Sequence, residues 1–423
     1  MAKLVRLRWI SEVSGGGLSR RDSRSGYYEA YCPDPLVGRP VTLTGPTAAD
    51  VSEAEAAIAR LDGDVVALVD TEALSRLLLR AEAVASSRIE GLEIGARRLL
   101  RAEAAQGSEG EATDVTAREV LANIEAMALA VAAVEPGEDI TEQMVLDIHH
   151  RLLVGGRLGD AGRLRTEQNW IGGSSFNPFG AAYVPPPPEL VPELVADLLA
   201  FCNSDELPAV AQAAIAHAQF ETIHPFVDGN GRTGRALIHL ILRRRGLARH
   251  VTPPVSLTLA TWTQSYLDGL VRFRHLGSPE SPEAGEGVDL WVGRFAAACT
   301  RATADAALFE QRAAQLERGW RERLSTVRAG STADLLLRRL IGAPILTVST
   351  AATLLDRSYP AVNGAIERLV QAGILRQVTV GRRGRAFESP EVIAAFTDLE
   401  RQLASPEGGT RQSPPERPVP RRK

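Results

Sequence analysis

Hydrophobic residues recur at helical spacing along most of the chain. Leu74, Leu77, Leu78, Ala81 and Ala85 fall on one face of a helical stretch that is predicted to run from about 50 to 101. Further helices are predicted over 115–155, 189–201, 208–224 and 232–245, and between 288 and about 328. The pattern indicates a mainly α fold.

Short strands are predicted in only a few places. Residues 1–40 are rich in Gly, Ser and Arg and are predicted to form loops, with a short strand at 27–31. Two apolar pieces around a Gly/Ser/Asn/Pro-rich turn predict a β-hairpin at 169–184. Two more strands are predicted at 374–380 and 386–388.

Composition narrows the class of protein. The 423 residues are 44% hydrophobic and 24% charged, with a net charge of −4, as in ordinary folded proteins. No apolar run approaches the ~18 residues of a membrane span, and the first residues lack a signal-peptide core. Three widely spaced cysteines do not indicate a disulfide framework or a paired-cysteine zinc site, so a cytoplasmic protein is expected.

Lysine is almost absent. Only Lys3 and Lys423 are lysines among the 48 basic residues, and neither lies in the context of a P-loop or a kinase strand. Any phosphate chemistry must therefore use arginines and backbone amides.

Changes in composition divide the chain. We expect an N-terminal helical region (1–110), a central domain (111–300), a connecting helix (301–330), a helix-turn-helix with a basic wing (331–395) and a disordered tail (396–423). Residues 331–423 carry 14 basic and 9 acidic residues, a net charge of +5. Ser358, Pro360 and Gly373 are start and stop signals for the second helix of this C-terminal module.

The segment His224-Pro-Phe-Val-Asp-Gly-Asn-Gly-Arg-Thr-Gly-Arg235 holds the densest candidate chemistry. It includes Gly-x-Gly-x-x-Gly, but a helical run precedes it and no acidic residue follows about 20 positions later, so a dinucleotide fold is rejected. The segment instead predicts a helix, a tight turn and a second helix whose free amides face an anion.

The side chains of this turn suit phosphoryl or nucleotidyl transfer. Arg232 and Arg235 are three residues apart on one helical face and can clamp phosphate oxygens. Asp228 can hold Mg²⁺, and His224 has a pKa suited to a general base.

The complete motif His-Pro-Phe-x-Asp-Gly-Asn-Gly-Arg-x-x-Arg resembles the signature of Fic-domain proteins. The resemblance covers about 35–300 and implies transfer of AMP from ATP, with Mg²⁺, to a hydroxyl of a target protein or of the chain itself. It implies that His224 is the catalytic base, that Asp228 binds the metal, that Phe226 anchors the loop and that Arg235 reaches the γ-phosphate. The implied nucleotide-binding residues are Gly229, Asn230, Gly231, Arg232, Thr233, Gly234, Arg235 and, on a later helix, Tyr266. Gly231 favours AMP transfer over the protein phosphorylation of the Doc type.

Other roles are open for several of these residues. His217, Glu221 and His224 share one helical face and form an alternative metal trio. Tyr266 is as well suited to core packing as to the adenine. His149 and His150 are expected to have packing and surface roles.

The resemblance also implies roles for the hairpin at 169–184 and for the segment at 86–91. The hairpin at 169–184 resembles the Fic flap, which aligns the target protein by strand addition. Ser86, Glu90 and Gly91 match the inhibitory motif of the group with an N-terminal inhibitory helix. The resemblance implies that Glu90 pairs with Arg235 and keeps the γ-phosphate from its productive position.

The C-terminal module (331–395) resembles a winged helix, which binds DNA in some proteins and protein partners in others. The leading function is protein adenylyltransferase. The alternatives are a DNA-binding transcriptional regulator with a nucleotide-sensing Fic core, and a hydrolase that removes AMP from modified proteins. A homodimer is also compatible with the family.

Overall fold

Helices dominate the computed structural model, which describes residues 1–11, 19–66, 71–105, 114–154, 158–380, 384–402 and 405. The mainly α fold is confirmed. In these ranges no helix is both long enough and apolar enough to cross a membrane.

The helices of the described residues are α1 (Gly45–Val66), α2 (Thr71–Ile89), α3 (Ala96–Ala105), α4 (Val115–Ala132), α5 (Glu142–Leu152), α6 (Val191–Cys202), α7 (Ala209–Ile223), α8 (Asn230–Arg244), α9 (Val255–Thr261), α10 (Thr263–Phe273), α11 (Pro282–Arg323), α12 (Thr332–Arg339), α13 (Val348–Leu355), α14 (Tyr359–Gln371) and α15 (Pro390–Gln402). The strands are β1 (Lys3–Trp9), β2 (Gly26–Cys32), β3 (Ile345–Leu346), β4 (Arg376–Val380) and β5 (Gly384–Glu388).

Two compact units divide the chain. The first unit comprises Met1–Glu53, Leu129–Gly246 and Gln264–Ala297. The second unit comprises Ala54–Ala128, Leu247–Thr263 and Ala298–Lys423. Each unit therefore draws on three stretches of chain, whereas the boundaries expected from the sequence are linear.

The first unit is built around α7 and α8. Every residue of α7 is buried, because its alanine-rich sequence presents small apolar side chains on all faces. At Gly234 of α8 an added Cβ would lie 2.8 Å from Glu221 Oε1 and 2.9 Å from Phe220 Cδ1. Glycine thus allows the two helices on either side of the turn at 224–229 to pack closely.

An antiparallel hairpin begins the first unit. β1 pairs with β2 in a register that sets Lys3 opposite Cys32 and Trp9 opposite Gly26. β2 contains the predicted strand at 27–31, but the prediction of loop for β1 was wrong. The alternation of Val5, Leu7 and Trp9 with exposed arginines was the overlooked signal.

The second unit has a shared apolar core. The predicted stripe Leu74, Leu77, Leu78, Ala81 and Ala85 of α2 is buried in one hydrophobic cluster with residues of α12 to α15. Within the C-terminal module, β3, β5 and β4 form a three-stranded antiparallel sheet beside α13 and α14. The centre of the predicted wing, 381–383, lies outside the described residues, and its assignment as a winged helix stays a prediction.

The long helix α11 begins at Pro282, six residues before the predicted start at 288, and two of its glycines differ sharply in their surroundings. An added Cβ at Gly287 would lie 2.1 Å from the carbonyl oxygen of Arg272, whereas one at Gly285 would meet nothing within 4 Å. Gly287→Ala should therefore lower the free energy of unfolding by about 1–3 kcal/mol or more. Gly285→Ala should leave it unchanged or raise it by up to about 1 kcal/mol. Denaturant unfolding of both variants tests this, and equal stabilities would contradict the close packing of α11 on α10.

Candidate active site

His224 ends α7 in an unusual backbone conformation. Its φ of 50° and ψ of 60° are left-handed, and its N–H still donates to the carbonyl of Phe220 at 2.8 Å. A residue with a Cβ pays of the order of 1–3 kcal/mol for this conformation, so neighbouring groups must impose it. The left-handed turn directs the chain from α7 into the loop of the motif.

Arg165 holds this turn. It is 3% exposed, and its Nε donates to the carbonyl of His224 at 2.9 Å. Its other nitrogens donate to the carbonyls of Glu167 at 3.1 Å and Pro186 at 2.6 Å. One buried guanidinium therefore ties the His224 backbone to both ends of the hairpin region. Sequence reasoning missed Arg165, because nothing in its local pattern distinguishes it from the other arginines.

The loop after His224 is closed by Asn230. The Oδ1 atom of Asn230 accepts from the Phe226 N–H at 2.8 Å, and its Nδ2 donates to the Phe226 carbonyl at 2.8 Å. Phe226 is fully buried, so its ring lies in the core. The side chain of Asn230 therefore closes the loop, and its backbone forms the first residue of α8.

The N-terminus of α8 follows this loop. Gly229 precedes it with a φ of 77°, and no side chain caps the helix. An added Cβ at Gly229 would lie 2.9 Å from Leu152 Cδ2, so both its conformation and its surroundings require glycine. Gly231 and Arg232 occupy the first turn, whose amides have no partners within the helix and can bind an anion.

Positive charge adjoins this helix end. Arg232 is 7% exposed, and its NH2 lies 3.8 Å from Asp228 Oδ1. Arg235 lies one turn further along α8 and is buried, as is Thr233, whose N–H donates to the Gly229 carbonyl at 3.0 Å. Nucleotide contacts of Thr233, Gly234 and Arg235 stay predictions.

Asp228 suits Mg²⁺ better than a structural metal. Its side chain is 61% exposed, and Oδ1 accepts from the Gly229 N–H at 2.6 Å. Mg²⁺ commonly binds through one or two carboxylates and substrate phosphates, so a single accessible carboxylate is compatible with it. Over the described ranges, no three His, Cys, Asp or Glu residues form a metal-binding group, which argues against the alternative trio of His217, Glu221 and His224.

Tyr266 lies in the core of the first unit. It is 4% exposed, and its hydroxyl lies 2.9 Å from His217 Nε2. Its ring also packs on that of Trp291, with 5.9 Å between centroids. The structure therefore gives Tyr266 a packing role, and contact with an adenine stays a prediction.

His149 is a second residue that sequence reasoning undervalued. We expected packing or surface roles for His149 and His150, and only His150 is exposed. The His149 ring is stacked on Phe226, with 3.7 Å between centroids, and its Nε2 lies 2.9 Å from the Asp228 carbonyl. His149 thus contacts the loop of the motif at Phe226 and at the Asp228 carbonyl.

Burial and neighbouring positive charges lower the pKa of His224. Burial, followed by the charges of Arg165 and Arg274, lowers the pKa of its imidazole to about 3. The ring is therefore neutral at neutral pH and able to accept a proton.

The predicted hairpin at 169–184 is present in reduced form. Ile171 and Tyr183 form one antiparallel bridge, in which the Ile171 N–H donates to the Tyr183 carbonyl at 2.8 Å. Trp170 packs edge-on against Trp9 of β1, with 5.2 Å between centroids. The N-terminal hairpin thus supports the segment that resembles the flap.

The segment with the inhibitory motif lies in the second unit. Ser86 is buried in α2, which ends at Ile89, and Glu90 follows in an exposed turn. Gly91 has a φ of 80°, which explains the need for glycine after Glu90. Pairing of Glu90 with Arg235, which belongs to the first unit, stays a prediction.

Two family models match the regions that carry these features. Residues 139–242 match the Fic/DOC family, and residues 48–132 match the Fic/DOC family N-terminal region. The chain therefore contains a Fic domain at 139–242, preceded by a Fic/DOC N-terminal region at 48–132.

Relatives agree with this assignment. Over 131 residues, 30% of this chain, it is 35% identical to protein adenylyltransferase fic-1 of Caenorhabditis briggsae. Over 180 residues, 41% of this chain, it is 33% identical to protein adenylyltransferase Fic of Nematostella vectensis. These matches span only 23% and 36% of the two relatives. A crystal structure of a Fic family protein from Desulfovibrio desulfuricans G20 has the same fold, with a TM-score of 0.51, 21% identity and coverage of 83% of this chain and 97% of that one.

Proposed function

We propose that the protein is an adenylyltransferase that moves AMP from ATP to a hydroxyl of a protein. The observation that carries the proposal is the left-handed His224 beside the uncapped N-terminus of α8. A neutral base and an anion site at one loop are what nucleotidyl transfer requires. The relatives named protein adenylyltransferase support the same reaction.

In this reaction the hydroxyl oxygen attacks the α-phosphorus of ATP. The bond from that phosphorus to the bridging oxygen of the β-phosphate breaks, and pyrophosphate leaves. His224 takes the proton of the hydroxyl. The amides of Gly231 and Arg232 and the Arg232 guanidinium stabilise the negative charge on the phosphate oxygens.

Asp228 would hold Mg²⁺, since it is the accessible carboxylate at the loop. Bound Mg²⁺ supplies charge neutralisation of the phosphates. The flap segment at 169–184 would receive the target protein by strand addition. Its position next to Arg165, and hence to His224, supports that role.

Glu90 would inhibit the resting protein by pairing with Arg235. The match to the inhibitory motif and the left-handed Gly91 support this regulation.

Labelled ATP tests the activity and the inhibition together. With ATP labelled at the α-phosphate, Glu90→Gly should label itself or lysate proteins strongly, whereas the wild type should label them weakly. Adding His224→Ala should reduce the labelling by about 10²–10⁴-fold, because the base is removed. ATP labelled at the γ-phosphate should give no protein label. Transfer of the γ-label instead would contradict AMP transfer.

The pH dependence tests the environment of His224. Because a base must be neutral and burial lowers its pKa to about 3, kcat/KM should stay nearly constant from pH 8 to 5.5. A histidine with the ordinary pKa of about 6.5 would lose about tenfold over that range. Arg274→Met should raise the pKa of His224, because the charge of Arg274 lowers it. The fall of kcat/KM at acid pH should then begin at a higher pH than in the parent. Arg272→Met should leave the pH profile unchanged. A tenfold loss by pH 5.5 in the unaltered site would contradict the lowered pKa of His224.

A further inference from the structure

His149 makes two contacts with the loop of the motif and one with Gly162, which lies outside the motif. Its ring is fully buried and stacked nearly parallel, at 9°, on the ring of Phe226. Its Nε2 lies 2.9 Å from the Asp228 carbonyl oxygen. Its Nδ1 accepts a hydrogen bond from the Gly162 N–H at 3.0 Å.

These partners fix the tautomer of the ring. A carbonyl oxygen can only accept, so Nε2 must carry the hydrogen that it donates to Asp228. A backbone N–H can only donate, so Nδ1 must be the acceptor from Gly162. Both nitrogens of a neutral imidazole are thus used, and the ring has one orientation.

The peptide that His149 holds links the carboxylate of Asp228 to the start of α8. The carbonyl of Asp228 and the N–H of Gly229 belong to one planar peptide unit. That N–H donates to Asp228 Oδ1 at 2.6 Å. A hydrogen bond from His149 to the Asp228 carbonyl therefore also fixes the direction of the Gly229 N–H. Because that N–H donates to Asp228 Oδ1, the carboxylate of Asp228 is oriented as well.

We infer that His149 is a positioning residue that orients the Asp228–Gly229 peptide, and through it the carboxylate of Asp228 and the N-terminus of α8. The inference rests on the proposed function only for its kinetic consequence. The contacts that carry it are made within the protein itself.

Two substitutions of similar polarity separate the two hydrogen bonds. His149→Gln keeps an amide donor near the position of Nε2, and His149→Asn keeps only an acceptor near the position of Nδ1. In the Glu90→Gly background, His149→Asn should lower kcat by about 10- to 100-fold, as for other outer-shell partners. His149→Gln and the exposed control His150→Asn should stay within about threefold of the parent, given the retained contacts.

Hydrogen exchange supplies a readout that does not need activity. Exchange of the Gly229 amide in the nucleotide-free protein should speed up in His149→Asn and not in His149→Gln. Equal kcat and equal exchange in the two variants, at matched thermal stability, would overturn the inference. If the Glu90→Gly parent labels no protein, AMP transfer fails, and the exchange result alone decides the role of His149.

A separate observation concerns the end of the inhibitory helix. Arg88 lies in the last turn of α2, two residues before Glu90, and its NH2 lies 2.8 Å from Glu400 Oε1 of α15. Their side chains are 12% and 2% exposed. Ion pairs this well shielded depend strongly on both partners, because a single charge left behind is poorly solvated.

The same helix has a second polar link to the C-terminal module. Arg80 of α2 donates to the Gly342 carbonyl at 3.2 Å. The apolar stripe of α2 also shares one core cluster with Phe396 and Leu399 of α15. The inhibitory helix and the C-terminal module are therefore packed as one body within the second unit.

We infer that α15 holds the inhibitory turn in place through Glu400, so that displacement of α15 would release it. This rests on the proposed inhibition by Glu90.

Glu400→Gln tests this link against a control on the same helix. Glu391 of α15 bonds to Trp320 and Arg323, away from α2. Glu400→Gln should raise AMP transfer by about 5- to 150-fold, the range of ordinary allosteric coupling, and Glu391→Gln should not. In the Glu90→Gly background, Glu400→Gln should have no further effect.

Amide exchange over 86–92 provides the second measurement. It should quicken in Glu400→Gln and stay unchanged in Glu391→Gln. Unchanged exchange and unchanged labelling in Glu400→Gln would overturn the link. Faster exchange together with an inactive Glu90→Gly protein would refute the proposed enzyme while retaining the mechanical connection.

Discussion

The left-handed backbone of His224 is the constraint on which the site depends. It stops α7 at the residue that we propose as the base and turns the chain so that α8 begins six residues later, at Asn230. The conformation is costly for a residue with a Cβ. Arg165 offsets the cost by bonding to the His224 carbonyl, and Asn230 closes the loop on Phe226. The proposed anion site at α8 therefore depends on bonds made to backbone atoms.

Sequence reasoning predicted the parts of this site that follow local rules. The helices around the motif, the glycines of the turn and the exposed carboxylate of Asp228 can all be predicted from residue type and spacing. The stripe of α2 was predicted in the same way, because a helix that packs on a core repeats its apolar positions every three or four residues.

The remaining parts depend on contacts between distant segments. Arg165 lies 59 residues before the His224 carbonyl that it binds, and His149 lies 79 residues before Asp228. Their neighbours in sequence give no sign of these partners. The burial of Tyr266 against His217 likewise follows from the packing of α10 on α7, so spacing alone left its role open.

The contacts of Arg165 show why arginine suits this position better than lysine. Its guanidinium directs three nitrogens at carbonyls of three segments, those at Glu167, Pro186 and His224. The planar fork of arginine spreads its donors in fixed directions, whereas a lysine ammonium presents them from a single atom. A buried ammonium would also lose its charge more readily than a guanidinium, whose pKa burial lowers here only to about 10. Arginine can therefore hold the turn at His224 from the interior and remain charged, and that charge in turn helps to keep His224 neutral.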